Sequence, residues 1–177
     1  NTGYARDFLD LVERILPEIS DKGVKVITNA GGVNPQSCRS ELIQLAKSSG
    51  KKIKIGVIQG DDIFPTLAEL RKKGVSFENM DTGADFDSIM DKVYSANVYI
   101  NSSTISDALD KGAQIVLAGR VSDPGLALGP CIYEFGWKDQ DYDLLAAGTL
   151  AGHITECGAQ CTGGNYSRWQ DVPNLAN

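Results

Sequence analysis

The only histidine of this chain, His153, stands three residues before Glu156 and four before Cys157. If a helix continues through His153-Ile154-Thr155-Glu156-Cys157, these side chains fall on neighbouring turns of one face. Such a set can work as an acid–base pair with a nucleophile, or as three metal ligands. Its plainer reading is a core histidine with its hydrogen bonds satisfied. With no second histidine, a two-histidine zinc site cannot form from this chain alone. His153 and Glu156 are therefore taken as catalytic candidates, and no metal ligand is assigned.

Other polar clusters offer different chemistry. Thr28-Asn29-Ala30-Gly31-Gly32-Val33-Asn34-Pro35 pairs two glycines, which remove the Cβ atoms that would crowd a ligand or a tight turn, with Asn29 and Asn34, whose amides both donate and accept. It is neither G-x-G-x-x-G nor a Walker loop, so no dinucleotide or triphosphate is implied. Backbone amides at the start of the following helix can instead hold a phosphate or carboxylate. Gly60-Asp61-Asp62 sets two carboxylates side by side, as a Mg²⁺ ligand pair or a general base, or with at least one of them as a helix cap. Gly119-Arg120-Val121-Ser122-Asp123 gathers a guanidinium, a hydroxyl and a carboxylate. Arg120 suits a bidentate grip on an anion, or a salt bridge to Asp123. Asn101 to Thr104 forms a fourth cluster, and Cys161-Thr162-Gly163-Gly164-Asn165 another glycine-rich loop. The candidates are thus Asp61, Asp123, His153 and Glu156 for catalysis, and Asn29, Gly31, Gly32, Asn34, Arg120, Ser122, Thr162, Gly163 and Gly164 for ligand binding.

These loops need elements to hold them. Phe8, Leu11, Val12, Ile15, Leu16 and Ile19 recur at three- and four-residue steps, which predicts a helix, interrupted at Pro17 and closed at Gly23. Val24 to Thr28 reads as a strand, Ser37 to Ser48 as a helix, Ile53 to Ile58 as a strand and Ile63 to Lys73 as a helix. Ser76 to Ser95 is irregular. Val98 to Ile100 reads as a strand, Ile105 to Lys111 as a helix and Ala113 to Ala118 as a strand, followed by helices over Gly125 to Phe135 and Asp141 to Cys157. A recurring order of strand, polar turn, helix and glycine stop predicts parallel βαβ units. The expected fold is a single α/β domain over residues 1–177, with a mainly parallel, Rossmann-like layered sheet and helices on both faces. In such a sheet ligands bind beyond the carboxyl ends of the strands, where the polar loops fall.

Composition narrows the partners. The net charge of −6 disfavours nucleic acid and anionic membranes, which need a basic face. No apolar run reaches the roughly 18 residues of a membrane span. Cys38, Cys131, Cys157 and Cys161 form no C-x-x-C pair and are too few for a disulfide scaffold, so free thiols in a reducing, intracellular compartment are expected. No cofactor is named by any motif.

Gly3-Tyr4-Ala5-Arg6, Ile27 to Pro35, Gly119 to Asp123, Ala146-Ala147-Gly148-Thr149-Leu150-Ala151-Gly152-His153, Glu156-Cys157-Gly158-Ala159-Gln160 and Thr162-Gly163-Gly164 occur in that order. Together they resemble the acyclic terpene utilisation A family (AtuA) over nearly the whole chain. The resemblance implies bacterial breakdown of citronellol- and geraniol-type terpenes through acyl-CoA intermediates. It also implies a glycine-rich strand and loop upstream of Gly3, so this chain, which starts without Met, is expected to be a piece of a longer AtuA-like domain.

The expected function is binding of an anionic acyl-CoA or carboxylate at the strand-end loops, with hydration or its reverse as the reaction. The alternative is a non-catalytic assembly module, with the Ala-, Leu- and Gly-rich helices between Gly125 and Cys157 as a subunit interface. A homo-oligomer is expected in either case.

Overall fold

A computed structural model describes residues 2–162, 166–171 and 173. The first helix, α1 (Asp7–Asp21), buries Phe8, Val12, Leu16 and Ile19 along one stripe, the spacing that keeps successive turns in register on one face. Leu11, expected in the same stripe, is instead 40% exposed. Pro17 does not end the helix, which runs on to Asp21. Gly23 takes a φ of 71°, and the Val24 N–H reaches back to the Glu18 carbonyl at 3.1 Å, the closure that a left-handed residue after a helix makes possible.

Three strands follow in a single parallel sheet: β1 (Val26–Thr28), β2 (Ile55–Ile58) and β3 (Ile115–Ala118), in the order β1-β3-β2. Every residue of the central strand, Ile-Val-Leu-Ala, is buried, as a strand covered on both faces requires. Its residues divide alternately. Ile115 and Leu117 pack with α1 and with Cys38 and Leu42 of α2 (Pro35–Ser48). Val116 and Ala118 pack with Ile105 and Leu109 of α4 (Ser103–Asp110) and with Val121. At the foot of the sheet, the Gln114 side chain donates to the Ile19 carbonyl at 2.8 Å and accepts from the Lys54 N–H at 3.1 Å, joining α1, β2 and β3.

The helix after β2 is shorter than the expected Ile63 to Lys73. A 3-10 turn over Phe64–Thr66 precedes α3 (Leu67–Lys72). Pro65 stands in the first turn of this 3-10 segment, and the Phe64 N–H is taken by Asp62 Oδ1. Conversely, α2 begins two residues earlier than expected, since Pro35 is accommodated at the first helical position, where no N–H is needed.

Val98 to Ile100 is not a strand. The segment makes only isolated bridges, Ile100 to Val121 in parallel and, just before it, Asn97 to Asp62 in antiparallel fashion. Val98 and Tyr99 are both exposed, so alternate side chains lack the buried layer that sustains a ladder. The irregular stretch over 76–95 holds two 3-10 turns, Phe86–Ser88 and Met90–Lys92.

Beyond β3, α5 (Gly125–Phe135) packs between α4 and α6 (Tyr142–Cys157). Glycines permit the close approach. A Cβ at Gly152 would meet the Pro124 carbonyl oxygen and come within 2.9 Å of Pro124 Cα, and one at Gly148 would press on Trp137 at 2.7 Å. Among the described residues, no helix is long and apolar enough to cross a membrane.

Candidate functional site

Because the strands are parallel, Thr28, Ile58 and Ala118 end at the same edge of the sheet, and the loops that follow converge there. Asn29, Gly32 and Val33 after β1, Asp61 after β2, Gly119 and Arg120 after β3, and Asn97 line a cleft of about 240 Å³. An adjoining hollow of about 320 Å³ shares Gly32, Val33, Asp61 and Asn97 and extends over Gln59, Gly60, Asp62, Phe64 and Tyr94. A more voluminous hollow of about 470 Å³ runs along β2 and α4, but it contains none of the candidate catalytic residues.

Asp61 is the centre of the cleft. It is only 7% exposed, and its Oδ2 accepts the Arg120 N–H and the Asn97 Nδ2–H, each at 3.0 Å. A buried carboxylate is tolerated when donors of this kind satisfy it. Gly119 makes the approach possible, since a Cβ there would lie 2.7 and 2.8 Å from the two carboxylate oxygens. Asp62 behaves differently. It is exposed, and its Oδ1 accepts the Phe64 N–H at 3.0 Å, so of the two adjacent acids one caps a turn and the other faces the cleft.

Arg120 reaches Asp123 Oδ1 at 3.5 Å, with both side chains about half exposed, and its guanidinium lies 5.4 Å from the Tyr99 ring centroid. An exposed pair at that distance contributes little, which leaves the guanidinium available to an anion entering the cleft.

The other candidates after β1 and β3 have packing or capping positions. Asn34 caps α2, with Oδ1 accepting the Ser37 N–H at 3.2 Å and Nδ2 donating to the Thr2 carbonyl at 3.2 Å. Gly31 is buried, and a Cβ there would lie 2.7 Å from the Ala118 carbonyl oxygen. Gly32 adopts a φ of 53° and gives its N–H to the Asn29 carbonyl at 3.1 Å. Ser122 Oγ lies 3.3 Å from Ser102 Oγ beneath the start of α5. In the Asn101 to Thr104 cluster, Asn101 Oδ1 accepts the Ser103 N–H at 3.1 Å, which is the local turn chemistry of a helix start.

A second group of candidates gathers at the far end of α6. His153 is exposed rather than a core residue. Its Nδ1 lies 3.5 Å from Cys157 Sγ, and the Cys157 thiol donates to Glu156 Oε2 at 2.8 Å. That hydrogen bond to the carboxylate, with some desolvation, pushes the thiol up to about 11, so the free side chain is protonated at neutral pH and poorly suited to nucleophilic attack. Gly158, with a φ of 54°, ends the helix, and the 3-10 turn over Gly158–Thr162 carries Cys161 back, with Sγ 3.4 Å from the His153 carbonyl oxygen. Thr162 closes this turn, whereas Gly163 and Gly164 lie outside the described residues. Asp123 and Glu156 both line a shallow, mainly apolar depression of about 210 Å³ with Leu126, Ala127, Gly152 and Thr155.

The candidates therefore fall into two places: Asn29, Gly32, Asp61 and Arg120 at the strand ends, and His153 with Glu156 at the end of α6. Asp123 lies between them, 3.5 Å from Arg120 and lining the same depression as Glu156. Asn97 and Cys161 were absent from the candidates. Asn97 lies in a stretch without periodicity, and Cys161 becomes a neighbour of His153 only through the turn that Gly158 permits.

A parallel sheet with polar loops and a buried carboxylate at its carboxyl edge defines an α/β protein with a strand-end cleft. The chain belongs to the acyclic terpene utilisation family protein AtuA family, whose model matches residues 1–177. No curated protein and no solved structure matches it significantly.

Proposed function

We propose that this chain acts in acyclic terpene utilisation by binding a branched acyl-CoA or related carboxylate in the strand-end cleft, with hydration or its reverse as the reaction class. One observation carries the reading: the loops after all three parallel strands meet around a cleft lined by both Arg120 and the buried Asp61, whose carboxylate accepts the Arg120 main-chain N–H. Arg120 would hold the anionic end of the ligand, Asn29 would orient it, and Asp61 would handle the proton. The alternating contacts of β3 with two sets of helices support a Rossmann-like layering, in which this edge is the usual place for a ligand. Family membership supports the metabolic context.

The experiment is a thermal shift titration of the protein with branched acyl-CoA thioesters, alongside Arg120→Ala. A ligand that binds only the native state raises its apparent stability. The expected result is a concentration-dependent rise that Arg120→Ala removes. No rise at saturating thioester overturns the proposal.

A second reading, assembly, has its own observation. Leu144, Leu150 and Ile154 are exposed and, with the exposed Ala147 and Ala151, form a stripe at three- and four-residue steps along α6. Such an uncovered apolar stripe suits a helix–helix contact between copies of the chain. Light scattering together with the thioester thermal shift on Leu150→Glu would separate the readings: an assembly contact on this stripe predicts dissociation, whereas a ligand cleft at the strand ends keeps its ligand response.

A further inference from the structure

We propose that His153, Cys157 and Cys161 form a binding site for one divalent transition-metal ion of the zinc type, with the fourth coordination position open. The three candidate ligand atoms, one imidazole nitrogen and two sulfurs, all lie within 4.8 Å of one another. With Zn–N near 2.0 Å, Zn–S near 2.3 Å and tetrahedral angles, a coordinated nitrogen and sulfur should stand about 3.5 Å apart. His153 Nδ1 and Cys157 Sγ are 3.5 Å apart. Two coordinated sulfurs should stand about 3.8 Å apart by the same geometry, inside the 4.8 Å that bounds the three ligand atoms, and Cys161 sits on a surface turn that can adjust.

The backbone explains why these residues meet. His153 and Cys157 are one helical turn apart on α6. Gly158 then breaks the helix through its left-handed φ of 54°, and the following 3-10 turn returns Cys161 to the same spot. The spacing H-x3-C-x3-C is thus a ligand set only because of the glycine between its halves. The position also favours a cation: it caps the carboxyl end of a 16-residue helix, whose last turn has no basic side chain and whose dipole is negative there.

The donor set selects the metal class. Two thiolates and an imidazole suit zinc and its analogues and are poor ligands for Mg²⁺ or Ca²⁺. Binding releases the protons of both the Cys157 and Cys161 thiols to solvent, because a coordinating thiol is deprotonated outright, and the hydrogen bond that Cys157 donates to Glu156 is lost with it. The exposed Glu156 lies beside this ligand set, its Oε2 2.8 Å from Cys157 Sγ, and the open position would take water. Three protein ligands with one free position is the pattern of zinc sites that do chemistry rather than purely structural ones.

The test is titration of the reduced full chain with Co²⁺ alone, followed by absorption, and then with Zn²⁺ as competitor. The expected result is one Co²⁺ per chain, tetrahedral d–d bands, a thiolate-to-cobalt charge-transfer band, and complete displacement by Zn²⁺. Cys157→Ser and Cys161→Ser should each weaken binding by more than about tenfold and halve the charge-transfer intensity, and His153→Gln should weaken binding while preserving that intensity at saturation. Cys38→Ser and Cys131→Ser should change nothing. Circular dichroism of each variant verifies the fold. Absence of the charge-transfer band, or a band that survives in the Cys157→Ser Cys161→Ser double variant, overturns the site. The readout uses no acyl-CoA, so it stands or falls apart from the strand-end cleft.

Discussion

The main-chain N–H of Arg120 donates to Asp61 Oδ2 at 3.0 Å, so the loop that follows β2 is bound directly to the loop that follows β3. One carboxylate thereby shapes both walls of the cleft and holds the backbone of Arg120, the residue proposed to grip the ligand.

Asp61→Asn should cost about 1–3 kcal/mol of stability, because a neutral amide oxygen is a weaker acceptor for both the Arg120 N–H and the Asn97 Nδ2–H, which share Oδ2. Urea unfolding of the variant measures this. An unchanged free energy would mean that Asp61 does not hold the two loops together.

Arg120→Ala separates binding from folding. The side chain is half exposed, and its contact with Asp123 is long, so stability should change by less than about 0.5 kcal/mol while thioester-induced stabilisation disappears. Equal responses in variant and wild type would remove Arg120 from the site.

Gly152→Ala should destabilise the chain by at least about 1–3 kcal/mol. A Cβ there collides with Pro124 backbone atoms, including Cα at 2.9 Å, and these cannot swing aside as the end of a flexible side chain can. Thermal unfolding checks this, and a melting temperature equal to wild type would show that α5 and α6 pack less tightly than described.

Cys38 gives a pH dependence. Burial beneath α1 and β3 pushes its thiol from an ordinary 9.0 up to about 11. The unfolded chain therefore loses this proton before the folded one does, and unfolding becomes easier as pH rises. The stabilising contribution is complete below pH 9.0 and is lost progressively towards pH 11, at up to about 1.4 kcal/mol per pH unit. The difference in stability between wild type and Cys38→Ala, measured by urea unfolding at intervals from neutral pH upward, should shift in this sense. A difference that stays constant with pH would contradict the burial of the thiol.

Much of this arrangement was legible in the residues themselves. The apolar spacing of α1, the apolar run of β3 and the polar loop after each strand predicted a parallel α/β sheet with polar loops at one edge. Asp62 and Asn34 took local capping positions because short polar side chains satisfy the nearest free N–H groups. Val98 to Ile100 misled because β-branched and aromatic residues resemble a strand even where no layer covers them. The pairing of Asp61 with Asn97, and of His153 with Cys161, depends on where irregular turns return the chain, and no periodicity encodes that.

The strand order has a consequence for the history of each molecule. Among the described residues β1 and β2 pair with β3 and not with one another, and Val26 waits about ninety residues for Ile115. A chain growing from its amino end therefore completes both edge strands long before their shared partner emerges. Until then, the apolar stripes of α1 and α2 have no central strand to close upon, and the half-made chain is open to association with its neighbours. These three strands are joined from the middle, and last.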